Sequence, residues 1–471
     1  MQRFALALLA LCLVTPIAGA QPQPQGFADV FPPAEYAARR AKVMDKLGDG
    51  VAVIQGSAEW PGYVAFRQNA QFFYLTGVEV PRAVLLIDGK SKQSTLFLPS
   101  SYRLANSEGP MLVAGDTARI VTGVEQVLPR DSMIAVLDRL GRGGRKFSAP
   151  YRGESRNAGA REQSTGFDRE NALDPLDGRP SRERVLIDKL QAFGGGREVL
   201  DLDPTIDALR MIKSPAEIRV IRESTRIAQA GLAAAMRAAQ PGVYEYQLAA
   251  AASFEFKNAG SQGEAYFPLV ATGANAAWPH YHGNSAKLGA NDLVLVDYAP
   301  DYKYYQSDVT RQFPVNGVYT ARQREMYTIY LRIYQTVESA MRPGMAPKDV
   351  IKNALVQMDS IMAHFTFTDA KVKAAAERMV ASYRTRQAAS LGHMIGLETH
   401  DAAVPYDVLQ PGMVFSLEPA LTIPDEHVYI RIESVYLVTP TNVENLSATL
   451  PVEPAAIERL MKDRKPKGPV P

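Results

Sequence analysis

Thiols are almost missing from this 471-residue chain and imidazoles are few: it has one cysteine and six histidines. The cysteine, Cys12, lies in a short apolar run (residues 4–14) that follows Arg3 and precedes the small residues Ala18, Gly19 and Ala20. This pattern reads as a signal peptide over residues 1–20, with cleavage after Ala20 and a mature chain starting at Gln21. The mature chain then has no thiol. That excludes a catalytic cysteine, a thiolate zinc site, disulfides and redox chemistry. The run is too short to span a bilayer and no second long apolar segment follows, so no membrane contact is expected after cleavage. An excess of either charge is also lacking. The net charge is +2, and the basic runs at 141–146 and 462–465 read as solvated loop and tail. Nucleic acid is therefore not an expected partner.

All six histidines (His280, His282, His364, His393, His400 and His427) fall in the C-terminal half. The N-terminal half has none to offer as base or ligand, so the chemistry is expected beyond it.

The remaining composition, 46% hydrophobic and 22% charged, is that of an ordinary globular protein, long enough for two domains. A Pro/Gln-rich leader (21–35) precedes a first domain at 36–203. There, apolar runs at 50–54 and 83–88 alternate with a helical pattern at 34–47, which predicts an α/β domain. Residues 141–184, rich in Gly, Arg, Ser and Asp, read as a long surface excursion. The second domain is expected at 204–455 and a polar tail at 456–471. Ser214-Pro215-Ala216-Glu217 predicts a capped helix start, and Pro241-Gly242 its end.

Within that second domain an apolar run, 293–296, ends in Asp297, and Asp308 follows after a tyrosine-rich stretch that reads as a hairpin. His393 stands in Leu391-Gly392-His393-Met394-Ile395-Gly396-Leu397-Glu398-Thr399-His400-Asp401. Pro411-Gly412 opens another apolar run, which ends at Glu418-Pro419. Arg431 and Glu433, two apart in a strand-like segment, share a face. Singly, each has a plainer reading: a cap, a structural histidine, a surface ion pair. Together, four carboxylates beside one histidine would repel each other and take up protons unless cations compensate them. Two divalent ions supply four positive charges, and an oxygen-rich set with one imidazole suits manganese, and also zinc or cobalt.

Asp297, Asp308, His393, Glu418 and Glu433, with the strings Ser307-Asp308-Val309-Thr310-Arg311, Gly392-His393, His400-Asp401, Glu418-Pro419 and Arg431-Ile432-Glu433, resemble the five-ligand pattern of the pita-bread (M24) metallopeptidases. Phe66-Arg67-Gln68-Asn69 with Phe73-Tyr74-Leu75-Thr76-Gly77 is similar to the N-terminal domain of the aminopeptidase P branch. The resemblance covers residues 36 to 450 and implies a creatinase-like α/β domain followed by an α+β pita-bread catalytic domain. It implies two metal ions held by those five residues, Glu418 as base and proton shuttle, and His280 and His400 facing the substrate. Arg431 would orient the ligand carboxylates from behind. The implied reaction is hydrolysis of the bond before a proline in second position, in an exported, periplasmic or secreted enzyme that is a dimer or tetramer. The rivals are an exported Xaa-Pro dipeptidase, a non-catalytic binding protein on the same fold, and creatinase-like chemistry without metal. Three departures from the family pattern stand out. Ala389 replaces a histidine usual four residues before His393, Asp297-Tyr298-Ala299 replaces Asp-Ala-Gly, and Glu418-Pro419-Ala420 lacks a usual glycine.

Overall fold

The computed structural model describes residues 30–59, 62–101, 111–153, 161–385 and 389–463. The signal-peptide reading, most of the leader and the end of the tail lie outside these residues. No described helix is long and apolar enough to cross a membrane.

The first domain runs α1 (Pro33–Leu47), β1 (Val51–Gln55), α2 (Ala70–Thr76), β2 (Val84–Asp88), β3 (Gln93–Leu98), α3 (Asp116–Thr122), β4 (Gln126–Pro129), α4 (Met133–Arg142), β5 (Phe147–Ala149), α5 (Arg161–Leu173), α6 (Arg182–Phe193) and β6 (Leu200–Asp201). Its strands form one mixed sheet in the order β4-β3-β2-β1-β5-β6. The continuous apolar run of β1 has a physical reason: both its faces are covered. Ala52 and Ile54 enter the main core, whereas Val51 and Val53 enter a second cluster with Leu137, Ile187 and Leu190.

Three expected boundaries need correction. Residues 141–184 are not wholly a surface excursion: Gly141 is buried within α4, and β5 is a buried strand paired in parallel with β1. Three residues are too few for periodicity to register, which is why β5 was not legible. The leader ends earlier than expected, since Phe31 is buried and α1 begins at Pro33. Part of the expected tail is helix α13 (Pro454–Lys462), which buries Ile457 and Met461.

After the linking helix α7 (Asp203–Met211), the second domain places two helices and a set of strands, then three helices and a second set of strands. The first set is α8 (Pro215–Ala238), α9 (Glu245–Asn258), β7 (Gly263–Glu264), β8 (Leu269–Thr272), β9 (Leu293–Asp297), β10 (Pro300–Tyr302), β11 (Tyr305–Gln306) and β12 (Thr310–Pro314). The second is α10 (Ala321–Ala340), α11 (Pro347–His364), α12 (Ala370–Thr385), β13 (Val414–Leu417), β14 (Ala420–Ile423), β15 (Val428–Arg431), β16 (Ser434–Val438) and β17 (Val443–Asn445). Ser214 and Glu217 form the expected capping box at the start of α8. The two sets meet where Thr310 and Glu433 exchange backbone hydrogen bonds. Arg431 and Glu433 are therefore not in one strand. The chain leaves β14–β15 after Arg431, crosses to β12 at Glu433 and joins β13 from Ser434.

Candidate metal centre

Antiparallel pairing of β9 with β12 sets Asp297 opposite Thr310, so Asp297 and Asp308 lie at the same end of that ladder. Between them the chain makes the expected hairpin, with Lys303 and Tyr304 both at positive φ and Tyr302 opposite Tyr305. Two positive-φ residues form the tight turn whose twist suits a hairpin. Glu418 follows β13, and Glu433 lies at the crossing. The Tyr330 hydroxyl on α10 ties these ends together, donating to Pro419 O (2.7 Å) and accepting from Ile432 N (2.7 Å). His393 is delivered by a loop pressed on β13, where Ser416 N donates to His393 O (2.9 Å). A Cβ at position 392 would stand 1.9 Å from Ser416 O, so only glycine permits that approach.

All five candidate ligands converge. Asp297, Asp308 and Glu433 offer oxygens within 4.8 Å of one another, as do the ligand atoms of His393, Glu418 and Glu433. His393 Nε2 lies 3.4 Å from Asp308, 3.2 Å from Glu418 and 3.7 Å from Glu433. Yet it is buried without an aligned hydrogen-bond partner, and so is Glu433 Oε1. A buried nitrogen and a buried carboxylate oxygen left unmatched beside other carboxylates fit a cation between them. The Tyr266 hydroxyl gives the same sign. It lies 2.6 Å from both Asp297 Oδ1 and Asp308 Oδ1, although one hydroxyl carries one proton and can donate to only one of them at a time.

The electrostatics agree. Burial, then Glu433 and Asp297, push the Asp308 carboxyl well above the usual range, and burial with Glu418 raises Glu433. Burial also acts upward on Glu418, but His393 and Arg431 outweigh it and hold its carboxyl at about 2. Arg431 is not the surface partner that a Tyr-Ile-Arg-Ile-Glu segment allows. It is buried, donating from Nη2 to Asp297 and from Nη1 to Glu418 Oε2 at 3.1 Å.

His400 stacks on His393, ring centroids 3.9 Å apart at 24°. Its ligand atom also falls within reach of Asp308 and His393. Stacked rings send their in-plane lone pairs along near-parallel lines, so the two imidazoles are poorly placed to share one ion. His280 is exposed and belongs to none of the metal-sized clusters among the described residues. His282, His364 and His427 are exposed. Sequence reasoning missed Tyr266 and Tyr330. Neither stands at a strand end nor in a charged motif, so nothing local distinguished them from core tyrosines. Tyr266→Phe is expected to weaken metal affinity about 10- to 100-fold, the usual loss for a residue that orients ligands, measurable by calorimetric titration of chelator-treated protein.

A cavity of about 450 Å³ opens beside Glu418 and His393, walled by Ile351, Tyr383, Leu391, Leu417 and Pro419. Glu418 is the most accessible of the four carboxylates, at 29% side-chain exposure against 1% for Glu433.

Comparison with known proteins agrees with this geometry. Residues 219–440 match the model of metallopeptidase family M24, and residues 36–146 that of the aminopeptidase P N-terminal domain. The Xaa-Pro aminopeptidase of Escherichia coli (strain K12) is 29% identical over 453 residues, covering 91% of this chain and 97% of that protein. A Xaa-Pro dipeptidase of Pyrococcus horikoshii is 26% identical over 392 residues, covering 82% and 92%. Among solved structures, zinc-substituted E. coli aminopeptidase P in complex with product superposes with a TM-score of 0.73 at 27% identity, over 93% of this chain and all of that one. The same enzyme with the inhibitor Pro-Leu gives 0.72 over 92% and 99%.

Proposed function

The chain belongs to metallopeptidase family M24, in its aminopeptidase P branch, and we propose that it removes the N-terminal residue from peptides whose second residue is proline. The observation that carries this is the convergence of Asp297, Asp308, His393, Glu418 and Glu433 around unmatched buried ligand atoms, in a chain that also has the aminopeptidase P N-terminal domain.

Two divalent ions, manganese in our reading, would be held by these five residues and would supply Lewis-acid polarisation and an ionised water at neutral pH. The remaining roles belong to the chain. Glu418, the most accessible of the four carboxylates and oriented by Arg431, accepts the proton of the attacking water and passes it to the departing proline nitrogen. Arg431 fixes the orientation of Asp297 and Glu418 together. His400 at the rim and His280 on the exposed loop donate hydrogen bonds to the peptide and to the developing oxyanion. The cavity beside Glu418, where Ile351, Leu391, Leu417 and Pro419 offer apolar surface, receives the proline side of the peptide.

An exported Xaa-Pro dipeptidase is the second reading, favoured by the P. horikoshii relative. One experiment separates them. Metal-stripped mature protein is titrated with manganese while a Xaa-Pro-Zaa tripeptide and the matching Xaa-Pro dipeptide are assayed side by side. Metal-restored cleavage of the tripeptide, abolished in Glu418→Ala, supports the aminopeptidase. Cleavage of the dipeptide alone transfers the assignment, and absence of both metal binding and cleavage leaves a binding protein. Export and a dimeric or tetrameric state belong to the same proposal, and are checked by fractionation of the producing cell and by light scattering.

A further inference from the structure

The Phe66-Arg67-Gln68-Asn69 motif has no part in the reaction just described, and it lies in the domain without histidine. Its surroundings give it one. The Arg67 side chain, 11% exposed, leaves its own domain and enters the second. Nε donates to Asp301 Oδ2 at 2.7 Å, and Nη2 donates to Tyr304 O at 3.2 Å and to Leu397 O at 3.3 Å. The guanidinium carbon also lies 4.6 Å from the centroid of the Tyr304 ring.

Those acceptors are not scattered. Asp301 and Tyr304 belong to the hairpin that separates Asp297 from Asp308. Leu397 lies in the loop that runs from His393 to His400. One planar, forked cation therefore joins the two segments that supply the carboxylate and the imidazole sides of the centre. Its neighbours hold the same hairpin. Phe73 stacks on Tyr304 at 3.6 Å, the Tyr304 hydroxyl donates to Glu79 at 2.8 Å, and Gln68 N donates to that hydroxyl at 3.1 Å. Within the second domain the two segments have links of their own, from Gln306 N to Gly396 O and from Thr399 Oγ1 to Gln306 Oε1. Arg67 is the clamp that comes from outside.

We propose that Arg67 is a positioning residue for the metal centre, by which the N-terminal domain sets the spacing between the Asp297–Asp308 hairpin and the His393–His400 loop. The inference rests on the metal-centre reading above. It makes the N-terminal domain a working part of the site rather than a cover for it.

The test is manganese titration of chelator-treated full-length protein by calorimetry, with melting curves of the metal-free forms and steady-state kinetics at saturating metal. Arg67→Ala is expected to lose about 10- to 100-fold in manganese affinity, as ligand-orienting residues do. At saturating metal its kcat is expected to fall about tenfold or more with KM changed less than about twofold, because misplacement acts on the reacting geometry. Arg67→Lys, which keeps the charge but not the fork, should recover only part of the affinity, and millimolar guanidinium added to Arg67→Ala should recover more. Should Arg67→Ala not fold, Asp301→Asn loosens the same clamp from the other domain and carries the same expectation. A lower melting temperature with unchanged manganese affinity and kcat would overturn the proposal, leaving Arg67 a structural contact only. If the wild-type chain itself binds no manganese, it is the metal-centre reading that fails, so the two failures are distinguishable.

Discussion

Asp308→Asn is expected to act with opposite signs on the metal-free and the metal-loaded protein. Without cations, Asp308 stands among Asp297 and Glu433, with oxygens inside a 4.8 Å cluster and all three side chains buried. Like charges about 4 Å apart repel by roughly 1–4 kcal/mol, depending on how far the surroundings screen them. Asparagine keeps the shape and removes a carboxyl that burial and its acidic neighbours hold well above its usual range, and with it the cost of either ionising or protonating that group there, so the metal-free variant should melt above the metal-free wild type. With manganese the order reverses. The variant has lost an anionic ligand that reaches toward both His393 and the Asp297 side. The loaded wild type gains stability from metal in proportion to the logarithm of metal concentration over Kd, about 2.7 kcal/mol at a hundredfold excess. The variant should gain much less, and its cleavage rate should fall about a thousandfold, corresponding to about 4 kcal/mol of lost polarisation. Paired melting curves with chelator and with manganese decide it. Equal destabilisation in both states would mean that the carboxylates do not oppose one another as charges.

The largest effect on stability is expected away from the metals, at Asp401. This carboxylate is buried, accepts from Arg210 Nη2 and from Lys213 Nζ (2.7 Å), and the same Arg210 nitrogen donates to Glu398 Oε2 (2.7 Å). Asp401→Ala would leave buried Arg210 with Glu398 and buried Lys213 with the Arg210 carbonyl in place of its carboxylate, and breaking a buried pair this way typically costs about 3–5 kcal/mol. The effect also has a pH signature. Burial acts to raise the Asp401 carboxyl, but Arg210 and Lys213 outweigh it and hold it at about 2, against about 3.9 in an unfolded chain. A carboxyl depressed in the folded state contributes its stability above the unfolded value and loses it as pH falls toward the folded one. The wild-type advantage over Asp401→Asn should therefore be constant near neutrality and shrink by roughly 2 kcal/mol between about pH 4 and pH 2. Denaturant titrations of both proteins across that range measure it, and a difference that stays flat down to pH 2 would sink the assignment.

How much of this was legible in the sequence depended on the length over which each signal acts. Helix α8 declared itself through Ser214, Pro215 and Glu217, because caps are local chemistry. Strands β1 and β2 showed as apolar runs because both faces are covered. Four of the five candidate ligands were legible as carboxylates at the ends or on the faces of apolar segments, an arrangement that costs free energy unless something compensates it, and His393 stood out only through the motif around it. What the sequence could not show was contact between distant segments. Tyr266 meets two carboxylates at separations of 31 and 42 residues, and Tyr330 meets Ile432 N at 102. The crossing between sheets at Glu433 was hidden for a related reason. Side-chain alternation continues through Arg431-Ile432-Glu433 although the backbone partners change there, so the pattern carried no mark of the switch. Strand β5 is simply too short for a period.

The order in which the chain leaves the ribosome gives the crossing at Glu433 a further consequence. The sheet of the first domain is complete once Leu200–Asp201 is available, whereas Arg431 reaches back 134 residues to Asp297. Asp297 and Asp308 thus exist as a pair of uncompensated acids through the synthesis of more than a hundred residues before the strand that closes over them appears. Pairing across such a sequence separation is slow to form. On the metal-centre reading, capture of the ions waits for the segment of Arg431 and Glu433, made more than a hundred residues after Asp308. A truncation just before Arg431 would leave the sheet of the first domain complete but the site without Arg431 and Glu433.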